Sequence, residues 1–332
     1  MRPKPGLQSV HEARAQRKRS KYGRPGPNAL LVGIGGLVLV LLGYWFFAQR
    51  SLKSAQQALL AQQRAVNATV GAEWFPLRDR IEALTVEAGG AYPGDLVDPA
   101  TARWDFRSAP GIYLRLRVEG AKDVASVRRA AQDSLRDGFT ACLLREPNNP
   151  LARGEPDAGA FSEHPWNLRQ AYRATRVMTD EWANEVTASG DELRLRVFVQ
   201  QYEKAKASEI PLAIDIMRRS QFFLLVLDED ADEARALSDG GVITPETLQL
   251  VPHFSRVFIV DLRAGKTVVR LRRKGTGEKV LSGAIVDPET RDAVTRQVNN
   301  CALARSVWME IAPPTRRDAV GDAGVEGGSL AR

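Results

Sequence analysis

Residues 29–48 read ALLVGIGGLVLVLLGYWFFA, twenty consecutive positions without a charged side chain. Nothing else in the chain limits its fold as strongly. A helix rising ~1.5 Å per residue covers the ~30 Å hydrocarbon core of a bilayer in about this many residues. Within hydrocarbon each backbone N–H and C=O must be satisfied inside the segment, so the stretch is expected to be helical despite its four glycines. Tyr44 and Trp45, near one end, suit the membrane–water interface. A cleaved signal peptide has a shorter apolar region, ~7–15 residues, and a small-residue cleavage site. Here Gln49, Arg50, Ser51, Leu52 and Lys53 follow instead, so the helix is read as a retained transmembrane anchor.

Charge gives that anchor a direction. The chain carries 47 basic and 40 acidic side chains, a formal charge of +7. Residues 1–28 hold eight of the basic groups (Arg2, Lys4, Arg14, Arg17, Lys18, Arg19, Lys21, Arg24) and one acid, Glu12, which leaves 39 of each sign beyond them. Basicity therefore belongs to the tail. The folded part lacks the electropositive surface that nucleic-acid binding requires, and no nucleic-acid partner is expected. Positive flanks favour the cytoplasmic side, which places the N-terminus inside and residues 49–332 outside the cytoplasm, at a bacterial inner membrane. Ala29, Gly33, Gly36 and Gly43, with Val40 between, share one face of the helix at spacings of four and three. Small residues let helices approach closely, so this is a candidate packing face for a second copy, a homodimer.

The remaining sequence divides into a helical stalk over 49–88, a mixed α/β domain over 100–312 and a tail over 313–332. Leu52, Ala55, Leu59, Gln62 and Val66 stand at heptad spacing in the stalk. A Gly- and Pro-bearing stretch, 89–99, separates it from the domain. Within the domain Ile112, Leu114, Leu116 and Val118 alternate with Tyr113, Arg115, Arg117 and Glu119, the pattern of a half-buried strand. A helix is expected over 122–137, a loop over 146–165 and one amphipathic helix over 166–186. The LRLRVFV of residues 193–199 alternates like a strand while the QQYEKAKA that follows favours a helix, so helix and strand both stay open, with helix preferred. Pro211 opens another helix, and 222–227 (FFLLVL) suits a strand buried on both faces at the sheet centre. Thr244-Pro245-Glu246 starts a short helix, 256–261 and 266–272 form a hairpin, and a last helix follows Asp287, with Val294, Val298 and Cys301 on its buried side. The tail is polar and Gly-rich, a composition that does not build a core.

Candidate chemistry is sparse. Gly265-Lys266-Thr267 resembles the end of a phosphate-binding P-loop, but Val260 stands where the first glycine is needed and a strand pattern follows, so a hairpin turn is expected. Asp228, Asp230 and Asp232, with Glu229 among them, follow the apolar run 222–227. Carboxylates so clustered are candidates for binding a divalent cation or accepting a phosphoryl group. The arrangement resembles the acidic strand end of receiver domains and the D-x-D of haloacid-dehalogenase-like phosphatases, although Asp232 replaces the latter's threonine. Glu233 and Asp239 exclude an EF-hand, which needs glycine and glutamate there. His164 and His253 have no metal-ligand spacing, and both are read as structural or surface residues. Cys142 and Cys301 lie on two predicted helices. A disulfide between them would suit an oxidising compartment, but two buried free thiols are the preferred reading.

The fold class expected is thus a mixed α/β extracytoplasmic domain on one transmembrane helix with a helical stalk. No cofactor is expected, and the bilayer and envelope proteins are the expected partners. Three functions fit: a non-catalytic envelope scaffold, a ligand-binding or sensing domain signalling through a partner, and a tethered metal-dependent hydrolase using Asp228 and Asp230. The first is preferred because no catalytic spacing is present. The layout resembles that of bitopic scaffold components of bacterial cell-division or secretion machinery, a likeness of arrangement without matching residues.

Overall fold

The computed structural model describes residues 27–106, 109–134, 137–144, 165–238, 241–277 and 290–312 of the 332. The basic tail through Gly26, most of the loop with His164, the helix start at Asp287 and the C-terminal tail lie outside these residues.

Helix α1, Pro27–Thr69, is 43 residues long, about 64 Å at 1.5 Å per residue. Its apolar part is exposed, Val32 at 75% and Phe47 at 72%. Among the described residues it is the one helix long and apolar enough to cross a bilayer. Past residue 48 the same helix enters the domain. Leu59 and Val66 join the core, and Leu52 packs against it. The segment read as a stalk is therefore part of the domain's core. Its heptad leucines and valine needed an apolar partner and found one within the chain, while Ala55 and Gln62 stay exposed. Three amides fix the contact: Gln56 Nε2 donates to the Ser189 carbonyl at 2.8 Å, Gln63 Nε2 to that of Thr179 at 3.0 Å and Asn67 Nδ2 to that of Met178 at 2.9 Å. Helix α2, Gly71–Gly89, follows after Val70 alone, which keeps helical dihedrals, and buries Trp74, Ile81 and Glu82. Glu82 receives both arms of Arg128 from the next helix at 2.9 Å each.

Six strands form one sheet: β1 (Leu96–Val97), β2 (Gly111–Arg117), β3 (Trp166–Asn167), β4 (Phe222–Asp228), β5 (His253–Asp261) and β6 (Lys266–Gly275). Their order is β1-β6-β5-β4-β2-β3, so β4 is interior, and the sheet begins before residue 100. Strand β2 runs parallel to β3 and β4, while β5 and β6 form an antiparallel hairpin closed at Gly265, whose φ of +67° favours glycine.

The alternation of a strand sends successive side chains to opposite faces. Phe223, Leu225 and Leu227 of β4 meet one apolar layer, and Phe222, Leu224 and Val226 meet the other. The first layer is built from α1, α2, α3 (Val124–Gln132), α5 (Arg169–Thr175), α6 (Asp180–Thr187), α7 (Glu192–Lys204) and α8 (Ile210–Arg219); the second from α4 (Phe139–Leu144) and α11 (Arg291–Ile311). Short helices α9 (Asp232–Leu237) and α10 (Pro245–Leu248) lie between β4 and β5 in the chain. Both faces of β2 are buried, so its alternation did not mark a solvent face.

Two further expectations change. The single helix over 166–186 is broken into β3, α5, a 3-10 turn and α6, because Thr179 leaves helical geometry and its hydroxyl caps a new helix at Trp182 N–H. On α11 the buried residues are Asn299, Asn300, Leu303, Ala304, Val307 and Ile311, while Val294, Val298 and Cys301 are half-buried. Residues 193–199 are helical, inside α7. A π-helical turn, Ala205–Glu209, joins α7 to α8 where Pro211 removes an N–H from the helix ladder.

Cys142 of α4 and Cys301 of α11 are joined by a disulfide, with Cα atoms 5.1 Å apart, in place of the two free thiols preferred from sequence. The two helices pack on the same sheet face, which sequence separation had hidden. The bridge spans 159 positions, and the chain-entropy argument assigns so long a loop about 5 kcal/mol. Reduction, or Cys142→Ser with Cys301→Ser, is expected to lower the unfolding free energy by about 2–5 kcal/mol in chemical denaturation. An unchanged midpoint would show that the bridge contributes nothing to stability.

Candidate functional site

Period-two alternation carries Arg115 and Arg117 of β2, Asp228 of β4 and Ser255 and His253 of β5 to the α11 side of the sheet, where β2 and β4 end. Arg115 is 3% exposed and Asp228 is 2% exposed. The Arg115 guanidinium grips Asp228 with two arms, Nε at 2.7 Å and Nη2 at 3.0 Å. Its Nη1 donates to Asp137 at 2.9 Å and to Asn300 Oδ1 at 2.6 Å. Tyr113 donates its hydroxyl to the same Asp137 oxygen at 2.9 Å. Around this centre the polar groups continue outward. Asn300 donates to the Gln249 side chain at 3.1 Å, Asn299 to the Gln249 carbonyl at 3.0 Å, and Asn299 accepts from Gly277 N–H at 2.9 Å.

Asp228 Oδ1 also accepts from Ser255 Oγ at 2.7 Å and lies 3.2 Å from His253 Nε2, whose other ring nitrogen is 2.9 Å from the Val251 carbonyl. The Nε2 contact is an ion-pair distance without hydrogen-bond alignment. Burial by itself would raise the Asp228 pKa; the Arg115 charge and then His253 overcome it, holding the carboxyl well below the usual carboxylate range. The same two effects act on Arg115: burial lowers its pKa, and Asp228 and Asp137 raise it further. Both groups are charged across the ordinary pH range.

Serine, histidine and aspartate are thus neighbours, but in an order that does not activate a nucleophile. The Ser255 hydroxyl donates to the carboxylate, which takes the central place a histidine must hold to remove a serine proton. Ser255 is also 1% exposed, so a substrate carbonyl cannot reach it.

The acidic loop is likewise dispersed. Asp228 faces inward; Asp230 pairs with Arg117 through contacts of 2.9 and 2.6 Å; the Asp232 side chain is 99% exposed at the start of α9, 3.7 Å from Arg235. Glu229 binds Arg256 at 2.7 Å and Arg272 at 2.6 Å. Among the described residues no three His, Cys, Asp or Glu side chains are placed to hold a metal ion. Gly265 closes the expected hairpin turn and Lys266 and Thr267 open β6, with Lys266 Nζ 2.7 Å from Asp98. His253 is buried, and His164 lies outside the described residues. Ala29, Gly33, Gly36 and Gly43 all fall within α1, and a Cβ built on any of the three glycines would meet nothing within 4 Å.

Sequence reasoning found Asp228 but not Arg115, Asp137, Ser255 or Asn300. One signal was available: a parallel strand flanked on both sides has no solvent face, so an arginine within it must carry its counter-ion with it. No protein-family model, curated protein or solved structure matches the chain.

Asp228→Asn leaves Arg115 buried with half its countercharge, and removing one partner of a buried ion pair costs about 3–5 kcal/mol. Because the native pKa of Asp228 is depressed, its contribution is complete above the unfolded value near ~3.9 and fades as pH falls toward the native one. Denaturation between pH 5 and 2 should therefore show a steep loss of stability in the wild type and a shallower one in Asp228→Asn. Parallel curves would assign the acid sensitivity to other carboxylates.

Proposed function

We propose that the chain is a single-pass membrane protein whose folded domain serves as a non-catalytic scaffold, holding envelope partners close to the bilayer in a fixed orientation. The observation that carries this reading is α1 itself. One unbroken helix is apolar and exposed over its first half and forms core packing over its second. The domain's first buried contact, Leu52, comes four residues after the apolar run ends, about 6 Å along the axis. A domain so mounted has little freedom to swing.

The N-terminal basic tail supports a cytoplasmic N-terminus, and the Cys142–Cys301 bridge suits an oxidising compartment outside a bacterial inner membrane. The pairing of Asp228, Asp230 and Glu229 with arginines favours a structural role for the acidic loop over a hydrolytic one. Self-association also has support. At ~100° per residue, Ser54, Ala58, Ala61 and Ala65 continue the face of Gly36, Val40 and Gly43, and all four are exposed, on the side of α1 turned away from the buried Gln56, Leu59 and Gln63.

Single cysteines in place of Ser9 and Ser208, labelled on intact spheroplasts with an impermeant maleimide, test the topology. Residue 208 should react before lysis and residue 9 only after it; recovery of the chain in the soluble fraction would overturn the anchor. Cross-linked capture with the full chain, and with residues 1–48 replaced by an unrelated anchor, should recover the same envelope proteins. Loss of every partner on the exchange would place recognition in the anchor and not in the domain. For self-association, Gly36→Leu and Ala58→Leu should reduce the dimer fraction in neutral-lipid nanodiscs without altering the melting temperature, and a monomeric wild type would end that part of the proposal.

A further inference from the structure

At the opposite end of the sheet, where β2 and β4 begin, a cleft of about 450 Å³ opens between α2, the C-terminus of α8 and the β5–β6 turn. That volume lies within the ~300–1,000 Å³ range of small-molecule sites. Four arginines line it: Arg80, Arg218, Arg219 and Arg263. Leu77, half-buried above the core residues Ile81 and Ile112, gives the cleft apolar surface.

No aspartate or glutamate lines the cleft among the described residues. Arg218 is 3.0 Å from Glu73, and Arg219 pairs with Asp215, but both acids lie outside the lining. Arg80 donates to the carbonyl of Leu262, a neutral acceptor. Asp261 is occupied in the turn, where Oδ1 accepts the N–H groups of Arg263 at 2.8 Å and Ala264 at 2.9 Å. The partial negative charge at the C-terminus of α8 offsets only part of the repulsion among these guanidiniums. Among the described residues the buried Arg115 and the half-buried Arg117 and Arg256 are met by carboxylates, while the half-buried Arg270 is met by the Gly94 carbonyl. The four exposed arginines here border a space lined by no carboxylate.

Guanidinium groups bind phosphate oxygens through paired, charge-assisted hydrogen bonds, and several arginines around one space match a dianion with three acceptor oxygens better than a monoanion. A bare ion would leave the exposed part of Leu77 wet. We propose that this cleft binds a phosphate monoester of a small apolar alcohol, with the phosphate among the four arginines and the apolar group against Leu77. The proposal is independent of the membrane reading.

Calorimetric titration of the full chain in neutral-lipid nanodiscs with phenyl phosphate, inorganic phosphate and phenol tests it. Phenyl phosphate should bind with one site per chain, about tenfold or more tighter than either other probe. Arg218→Ala with Arg263→Ala should weaken it at least about tenfold, the scale of one lost charge-assisted hydrogen bond, with the melting temperature of the unliganded chain unchanged. Arg263→Glu, on an exposed turn, serves the same purpose if the double variant does not fold. Absence of binding, equal binding of phenyl phosphate and inorganic phosphate, or unchanged affinity in the arginine variants would each overturn the proposal.

Discussion

The Arg115–Asp228 ion pair sets the terms for one end of the molecule. Transferring these charges from water costs several kcal/mol per ion, and their attraction offsets that only when the remaining donors and acceptors are also satisfied. Arg115 uses Nε, Nη1 and Nη2, and Asp228 adds Ser255 to the two arms it receives. Apolar residues of similar volume are often as stable as a buried ion pair, so the network matters more for what it specifies. Asp137 precedes α4 and Asn300 lies in α11, so one guanidinium ties both helices of the second layer to β2 and β4. A one-residue slip of β2 would turn Arg115 toward the other layer, an apolar cluster formed by residues such as Ile112, Leu114, Phe223 and Leu225. Register is thereby set by charge as well as by packing.

At the other extreme of the chain a similar economy holds for amides. Gln56 and Gln63 are buried, at 8% and 4% exposure, on a helix whose apolar half precedes them. Their side chains reach backbone carbonyls at the two ends of α6, and Asn67 adds one more at Met178. Leucine in their place would bury comparable area but lose these hydrogen bonds across the contact. Rotating or sliding the domain on α1 would break all three contacts together. The domain and the second half of α1 are therefore one cooperative unit.

Much of the element pattern was legible in sequence. The apolar run 222–227 became the interior strand and the turn at Gly265 closed a hairpin, while at 193–199 the strand-like alternation left open the helix that forms there. What was not legible came from one cause, the identity of the partner. Heptad spacing at Leu52, Leu59 and Val66 reports that a helix has an apolar side, not whether α6 or a second stalk covers it. Alternation at 112–118 reports two faces, not that both are buried. Asp228 at the end of a buried strand signals a charge needing compensation, and sequence offers no way to choose between a cation from solution and Arg115, 113 positions away. Cys142 and Cys301 present the same difficulty at a separation of 159.

That same criterion separates charges that hold the fold together from charges free to bind. A buried charge left alone pays the full desolvation penalty, so in a folded chain it is met from within. Arg115, 3% exposed, has two carboxylates. Exposed arginines are under no such requirement, because water solvates them, and an exposed pair contributes ~0–1 kcal/mol. Arg218, with its side chain 57% exposed, and Arg219, at 70%, can exchange Glu73 or Asp215 for another anion at little cost to stability. The Arg115–Asp228 pair is thus met from within, and the surface cluster is too weakly satisfied to be needed for folding. Of the two clusters, the one whose cations face solvent is the arginine cleft, at the end of the sheet away from Asp228.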